Sequence, residues 1–122
     1  MGIVDKFDGT LIGYCHVDVR SKQDAAWLSI NIGDSNYRNK GYGSDVLDML
    51  LRFTFNELDV ESVHLDVLET NVSAIHLYSS KGFIISGRYR CHHIHDGKHI
   101  DWLHMDILKH EYHRRRYERI LK

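Results

Sequence analysis

Seven residues, Arg38-Asn39-Lys40-Gly41-Tyr42-Gly43-Ser44, restrict what this chain can become more than any other stretch. They follow the apolar run Ala26-Trp27-Leu28-Ser29-Ile30-Asn31-Ile32 and lead into a helix-patterned segment from Asp45 to Leu58. A strand, a tight glycine turn and a helix N-terminus, in that order, form a cradle for phosphate. Glycine lets the backbone approach a ligand closely, and the first N–H groups of the helix point at it. The helix dipole adds roughly half a positive charge at that end, and Arg38 and Lys40 add whole charges beside it. A turn also needs glycine to reach positive φ whatever it binds, so the bare-turn reading stands beside the cradle at this point.

The length of 122 residues fits a single domain, residues 1–122, with a C-terminal tail from about residue 110. Hydrophobic residues at 43% and charged residues at 27% give the balance of a globular domain that builds its core without disulfides or metals. Lys plus Arg number 16 against 17 Asp plus Glu, so no global field draws the chain to nucleic acid or anionic lipid. Two cysteines, Cys15 and Cys91, make no disulfide framework, which favours a reducing compartment. Neither a signal-peptide core nor a membrane-length apolar run is present, and Lys6 stands where a myristoylation pattern wants Ser or Thr. The expected location is cytoplasmic, with no membrane or nucleic-acid partner.

Turn and periodicity signals divide the chain further. Asp8-Gly9 precedes a strand from Thr10 to Val19, and Ala26 to Ile32 is the next, a strand meander ahead of the glycine turn. From Asp45 the period changes: Val46, Leu47, Leu50, Leu51, Phe53, Thr54, Phe55 and Leu58 spread over much of a helix, which is therefore expected to be mostly buried. Glu61 to Glu69 alternates, with Val63, Leu65 and Val67 on one face, and reads as an interior strand. Asn71 caps a short helix running to Lys81, Gly82 takes the left-handed position after it, and Phe83 follows as the apolar contact. Phe83–His95 and Lys98–Leu108 are two strands around an Asp96-Gly97 hairpin turn, and the tail from His110 is helix-compatible. The order is β-β-β-α-β-α-β-β, an α/β domain with a mixed sheet.

That order, with Arg38-x-x-Gly41-x-Gly43 after the meander, resembles the GNAT N-acetyltransferase superfamily. The stretch Asn71-Val-Ser-Ala74-Ile-His-Leu77-Tyr78-Ser-Ser-Lys-Gly82-Phe83 is similar to a second signature of that superfamily, at the expected distance of one helix and one strand. The ending from Asp96 through Trp102 to Leu108 is similar to the Rim-type branch, which contains ribosomal-protein and spermidine N-acetyltransferases. The resemblance runs from about Leu11 to Tyr112. It implies a mostly antiparallel mixed sheet with two helices, here lacking the strand and two helices that normally precede the meander and help form the acceptor site. An uncovered sheet edge and apolar face would follow, and with them a homo-oligomer or partner chain.

The resemblance also implies acetyl-CoA as co-substrate and no metal. Backbone N–H groups of Arg38, Asn39, Lys40, Gly41, Tyr42, Gly43 and Ser44 would surround the pyrophosphate. The strand ending in Asn31, Ile32 and Gly33 would splay from its neighbour, pair with the pantetheine arm and direct an N–H at the thioester oxygen. Asn71 would contact the arm while capping its helix, and Ala74 would leave room for it. Tyr78 takes the position of the tyrosine that lies near the cofactor sulfur in many family members, and is the candidate general acid. A phenol near pKa 10 protonating a thiolate near 8.5 is uphill by about 2 kcal/mol, a step that acyl transfer can drain. The implied reaction is direct acetyl transfer to a primary amine (a polyamine, a small amine or a protein N-terminus). A weakly active or inactive acetyl-CoA-binding module is the alternative.

The base has no such marker. The strand Trp27-Leu28-Ser29-Ile30-Asn31 carries no acid where family members often place one, and Glu69, Asp66 and His64 stand as candidates acting through water. Of the ten histidines, His92, His93, His95, His99 and His104 crowd the last hairpin. A two-residue turn would pair His92 with Asp101 and place His99 on the same face, a wet surface rather than a zinc site, since no Cys-x₂-Cys spacing supports one. Arg114-Arg115-Arg116 reads as a solvated helix end rather than an RNA grip.

Overall fold

The protein was analysed as a computed structural model that describes residues 2–4, 11–32 and 42–121. Strands β1 (Gly2–Val4), β2 (Leu11–Arg20) and β3 (Ala25–Ile32) come first, then helix α1 (Tyr42–Arg52), which runs into a π-helical turn at Phe53–Glu57. Strand β4 (Ser62–Leu68), helix α2 (Val72–Ser80), strands β5 (Ile84–His95) and β6 (Lys98–Leu108) and helix α3 (Lys109–Leu121) complete the order. The six strands form one sheet in the order β1-β2-β3-β4-β6-β5, antiparallel throughout except for the β3–β4 pair. The expected mixed, mostly antiparallel sheet is therefore present, with β1, only three residues long, at its edge.

Local chemistry explains where the elements stop. Asn71 caps α2 by accepting the Ala74 N–H on its Oδ1, at 3.2 Å. Gly82 follows α2 at φ +104°, a conformation that L side chains rarely adopt. A Cβ there would also sit 2.7 Å from Cδ of Arg115. Asp96 and Gly97 both have positive φ (51° and 75°), the signature of a type I′ hairpin turn.

Alternation in the strands sends one set of side chains into the core. Leu28 of β3, Val63, Leu65 and Val67 of β4, and Leu103, Met105 and Ile107 of β6 join Leu47, Leu50, Leu51 and Phe55 in one cluster. From α3, Tyr112 stacks on Phe55, ring centroids 4.9 Å apart. All these helical residues cover the same sheet face. Two expectations about the first helix need correction. Its first turn begins at Tyr42 rather than Asp45, and it is amphipathic rather than mostly buried, because Met49, Phe53 and Leu58 are exposed. Buried Thr54 donates its hydroxyl to the carbonyls of Leu50 and Leu51, at 2.9 and 3.2 Å, where the helix widens into its π turn.

The opposite sheet face, expected to be apolar, is mixed. It carries Ser62, His64 and Asp66 from β4 and His104 and Asp106 from β6, with Trp27 beside them on β3. The last hairpin also departs from the expected register. Pairing is regular from His95↔Lys98 to His93↔Ile100, then slips between Tyr89 and His93. Asp101 thus lies opposite a bulge rather than opposite His92, and its carboxylate receives Arg88 Nη1 at 2.7 Å.

Candidate active site

The parallel pair β3–β4 is zipped at one end only. Ala25, Ala26 and Trp27 pair with Ser62, Val63 and His64, and there the ladder stops. Beyond it β3 stays paired to β2 as far as Ile32, and β4 stays paired to β6 as far as Leu68. Two strands that are neighbours at one end therefore part company at the other, each turning an unpaired backbone edge toward the gap. A cleft of about 820 Å³ opens there. Leu28, Ser29 and Ile30 form one wall and Leu65, Asp66, Val67 and Leu68 the other. Asn71 and Tyr78 of α2 and Tyr89 and Trp102 of the hairpin close it.

Several residues singled out from the sequence meet here. Asn71 and Tyr78 both line the cleft, whereas Ala74 packs against the core cluster. Asn31 and Ile32 continue β3 past the split, paired to Tyr14 and Gly13. Tyr42, Gly43 and Ser44 form the first turn of α1, with Asp45 beside them to favour the helix dipole. Gly33, Arg38, Asn39, Lys40 and Gly41 lie outside the described residues.

Tyr78 sits three-quarters of the way along a helix with no fully buried residue, its ring tilted against Phe83 at 5.9 Å. Burial raises its phenol pKa above the ordinary value, so the hydroxyl is a neutral donor throughout the physiological range. The same burial makes proton donation more uphill than for a solvated phenol. No other described residue hydrogen-bonds to that hydroxyl. The helix is held at its far end by two basic side chains. Lys81 pairs with Asp48 of α1 at 3.0 Å, and Arg115 of α3 donates to the Ser80 carbonyl at 2.8 Å. Arg115 is thus a helix-capping group rather than a free solvated charge.

The three candidate bases separate. Glu69 is bound up in structure: its carboxylate takes Arg88 at 2.7 Å and the Asp101 backbone N–H at 3.3 Å. His64 is not among the cleft-lining residues and lies between Ser62 and His104. Its pKa is lowered, chiefly by burial and then by neighbouring His104. Asp66 lines the cleft and accepts His104 Nδ1 at 2.8 Å. Trp27, Tyr89 and Trp102 are cleft residues that no local motif marked; strand alternation could have put Trp27 opposite the core-facing Ala26 and Leu28, but not in a cleft.

The unzipped edges suit an extended ligand with amide groups, since such a chain can hydrogen-bond to a strand as another strand would. The pantetheine arm of acetyl-CoA is a chain of that chemistry, and Ser29, Ile30 and Asn71 line the cleft.

Comparison with known proteins is consistent with this architecture. Residues 3–104 match the acetyltransferase (GNAT) domain family. The L-amino acid N-acetyltransferase AaaT of Escherichia coli K12 is 26% identical over 110 residues, 88% of this chain and 67% of that protein. The spermine/spermidine N(1)-acetyltransferase of Bacillus subtilis 168 is 28% identical over 87 residues, 66% of this chain and 57% of that one. Mutant forms of the spermidine/spermine N-acetyltransferase SpeG from Vibrio cholerae superimpose with a TM-score of 0.83 at 25% identity, over 93% of this chain and 68% of theirs. A dodecameric structure of the V. cholerae spermidine N-acetyltransferase aligns with a TM-score of 0.78 at 26% identity. The chain therefore spans between 57% and 68% of the length of these three enzymes. With its domain match over most of its length, the chain belongs to the GNAT acetyltransferases.

Proposed function

We propose that this protein transfers an acetyl group from acetyl-CoA directly to a primary amine. The observation that carries the reading is the three-rung β3–β4 ladder, which leaves a cleft between two unpaired strand edges with Tyr78 on its wall. Bound acetyl-CoA supplies an acetyl thioester. The backbone of Asn31, Ile32 and Gly33 and the side chain of Asn71 hold its arm, Ala74 leaves space beside it, and an N–H of the strand end polarises the carbonyl. The turn from Arg38 to Ser44 holds the pyrophosphate with backbone N–H groups. In the transfer the amine nitrogen bonds to the acetyl carbon, the carbon–sulfur bond breaks, Tyr78 gives its hydroxyl proton to the sulfur, and the proton shed by the acylated nitrogen restores the phenol through water.

The amine must arrive neutral. A primary amine is unprotonated in roughly one molecule in 2,500 at pH 7, so a proton acceptor is needed. Asp66 is the cleft-lining carboxylate placed to orient an ammonium group and lead its proton to water. Polyamines and amino acids are the acceptor classes that the relatives' names suggest, and a protein N-terminus is a further amine of the same chemistry. The Asp96–Leu108 ending supports placement in the Rim-type branch. A cytoplasmic site of action and a homo-oligomer are part of the reading; the dodecameric relative supports the latter. Among the described residues no helix is long and apolar enough to cross a membrane.

The test is release of free CoA thiol from acetyl-CoA in the presence of spermidine, an L-amino acid panel or an N-terminal peptide. Binding is scored separately by thermal shift, where acetyl-CoA at 100 times its Kd adds about 2.7 kcal/mol. A shift with no thiol release from any amine favours the acetyl-CoA-binding module instead. No shift at all sinks both readings.

A further inference from the structure

Behind the cleft wall, on the sheet face away from the core, two histidines meet nitrogen to nitrogen. His64 Nδ1 lies 3.0 Å from His104 Nε2. Their outer nitrogens are both engaged: His64 Nε2 with Ser62 Oγ at 2.8 Å, and His104 Nδ1 with Asp66 Oδ1 at 2.8 Å. An ionised carboxylate only accepts, so His104 carries its proton on Nδ1 and presents a lone pair at Nε2. Ser62 can donate or accept, so it serves either tautomer of His64. While His104 is neutral, the space between the two inner nitrogens suits a proton on His64 or a metal ion. Asp106 stands directly across from His64 in the β4–β6 register, and a carboxylate oxygen of it and one nitrogen of each ring all lie within 4.8 Å of one another.

We infer that His64 Nδ1, His104 Nε2 and the Asp106 carboxylate form a binding site for a divalent transition metal of the zinc type, in place of the metal-free surface expected from the sequence. Two imidazoles and one carboxylate suit zinc, cobalt or nickel rather than magnesium or calcium, which prefer oxygen donors. A tetrahedral ion with bonds near 2.0–2.1 Å wants its donors about 3.3 Å apart, so closing the site takes side-chain movements of about 1 Å. The three residues come from two hydrogen-bonded strands, which fixes their spacing. Ser62 and Asp66 supply the outer hydrogen bonds that orient metal-binding imidazoles. Trp27 backs the site, with ring centroids 5.0 Å from His64 and 4.9 Å from His104. When a metal replaces the shared proton, that proton moves from Nδ1 to Nε2 of His64 and is donated to Ser62 Oγ, so no net charge is lost from the ring. The fourth coordination position is left to water or another donor.

Of the five hairpin histidines the set draws on His104 alone, and the inference does not depend on acetyl transfer. The test is titration of untagged, chelator-treated protein with zinc by calorimetry, repeated with cobalt to read the visible absorption of a tetrahedral ion. One zinc should bind per chain with micromolar or tighter affinity. His64→Gln and His104→Gln should each weaken it about 100-fold, and Asp66→Asn, which weakens an orienting bond to His104, by about 10-fold. Asp106→Asn should weaken zinc and alter the cobalt spectrum. His76→Gln and His110→Gln, both on exposed helical positions, should leave the affinity unchanged. No saturable zinc binding, or binding indifferent to both His64→Gln and Asp106→Asn in folded protein, would overturn the site.

Discussion

The same two strands behave oppositely at their two ends. From Ala25 to Trp27, β3 is zipped to β4 and its backbone groups are spent on the sheet; from Leu28 onward those on the β4 side face the cleft, free for the ligand proposed above. The closed end carries the stability and the open end the chemistry. No change of residue type marks the boundary, since Leu28 and Ile30 are as strand-forming as Ala26 and Trp27. Past the parting point each strand keeps its partner on the other side: β2 for one, β6 for the other. A binding cleft can thus be made by withholding hydrogen bonds rather than by adding special residues.

The sharpest way to break this contrast is at Tyr78, on the wall of the open end. Tyr78→Phe removes only the hydroxyl, and should lower the turnover number by about 10²–10⁴-fold, while acetyl-CoA affinity by calorimetry stays within a few-fold. Equal loss of both would mean that the hydroxyl binds rather than donates. At the parting point, Leu65 is buried, and Leu65→Ala should cost about 2–5 kcal/mol in urea unfolding. A cost below 1 kcal/mol would show that the strands are already loose there. Gly82→Ala, forced to positive φ and against Arg115, should cost roughly 1–2 kcal/mol or more and reduce turnover through α2. Asn71→Ala should lose about 1 kcal/mol as a cap; if the residue also holds the ligand, acetyl-CoA affinity falls as well.

The smallest effect is on pH. The folded-state pKa of Tyr78 is raised by burial, so its contribution to stability is complete below the unfolded value of about 10 and is lost as pH climbs from there through the folded value. Alkaline unfolding curves of wild type and Tyr78→Phe should therefore run parallel below pH ~10 and diverge above it, the variant falling less steeply. Parallel curves throughout would place the phenol in water.

What could be read from the sequence was what is decided within a few residues. The Asn71 cap, the Gly82 terminus and the Asp96-Gly97 turn each follow from one side chain or one φ angle, and each is present. The alternation of Val63, Leu65 and Val67 likewise settles which face of β4 is buried. Pairings set by distant strands were not legible. His64 and His104 meet across 40 residues because of the β4–β6 register, and nothing near either residue announces it. The bulge between Tyr89 and His93 displaced a hairpin pairing that a regular ladder would have made. Strand β1 is too short for a periodic signal, and the π turn after Arg52 depends on the Thr54 hydroxyl finding carbonyls in the turn before it.

Arg115 has a practical consequence. The helix bearing Tyr78 buries none of its residues fully, so it depends on guy-ropes, and one of these is tied from α3 to the Ser80 carbonyl. Editing α3 is remote surgery on the tyrosine proposed as the acid: Arg115→Ala, far from the cleft in sequence, should loosen the aim of the Tyr78 hydroxyl. A tag or fusion joined there is best placed beyond a spacer, so that this tether keeps its tension.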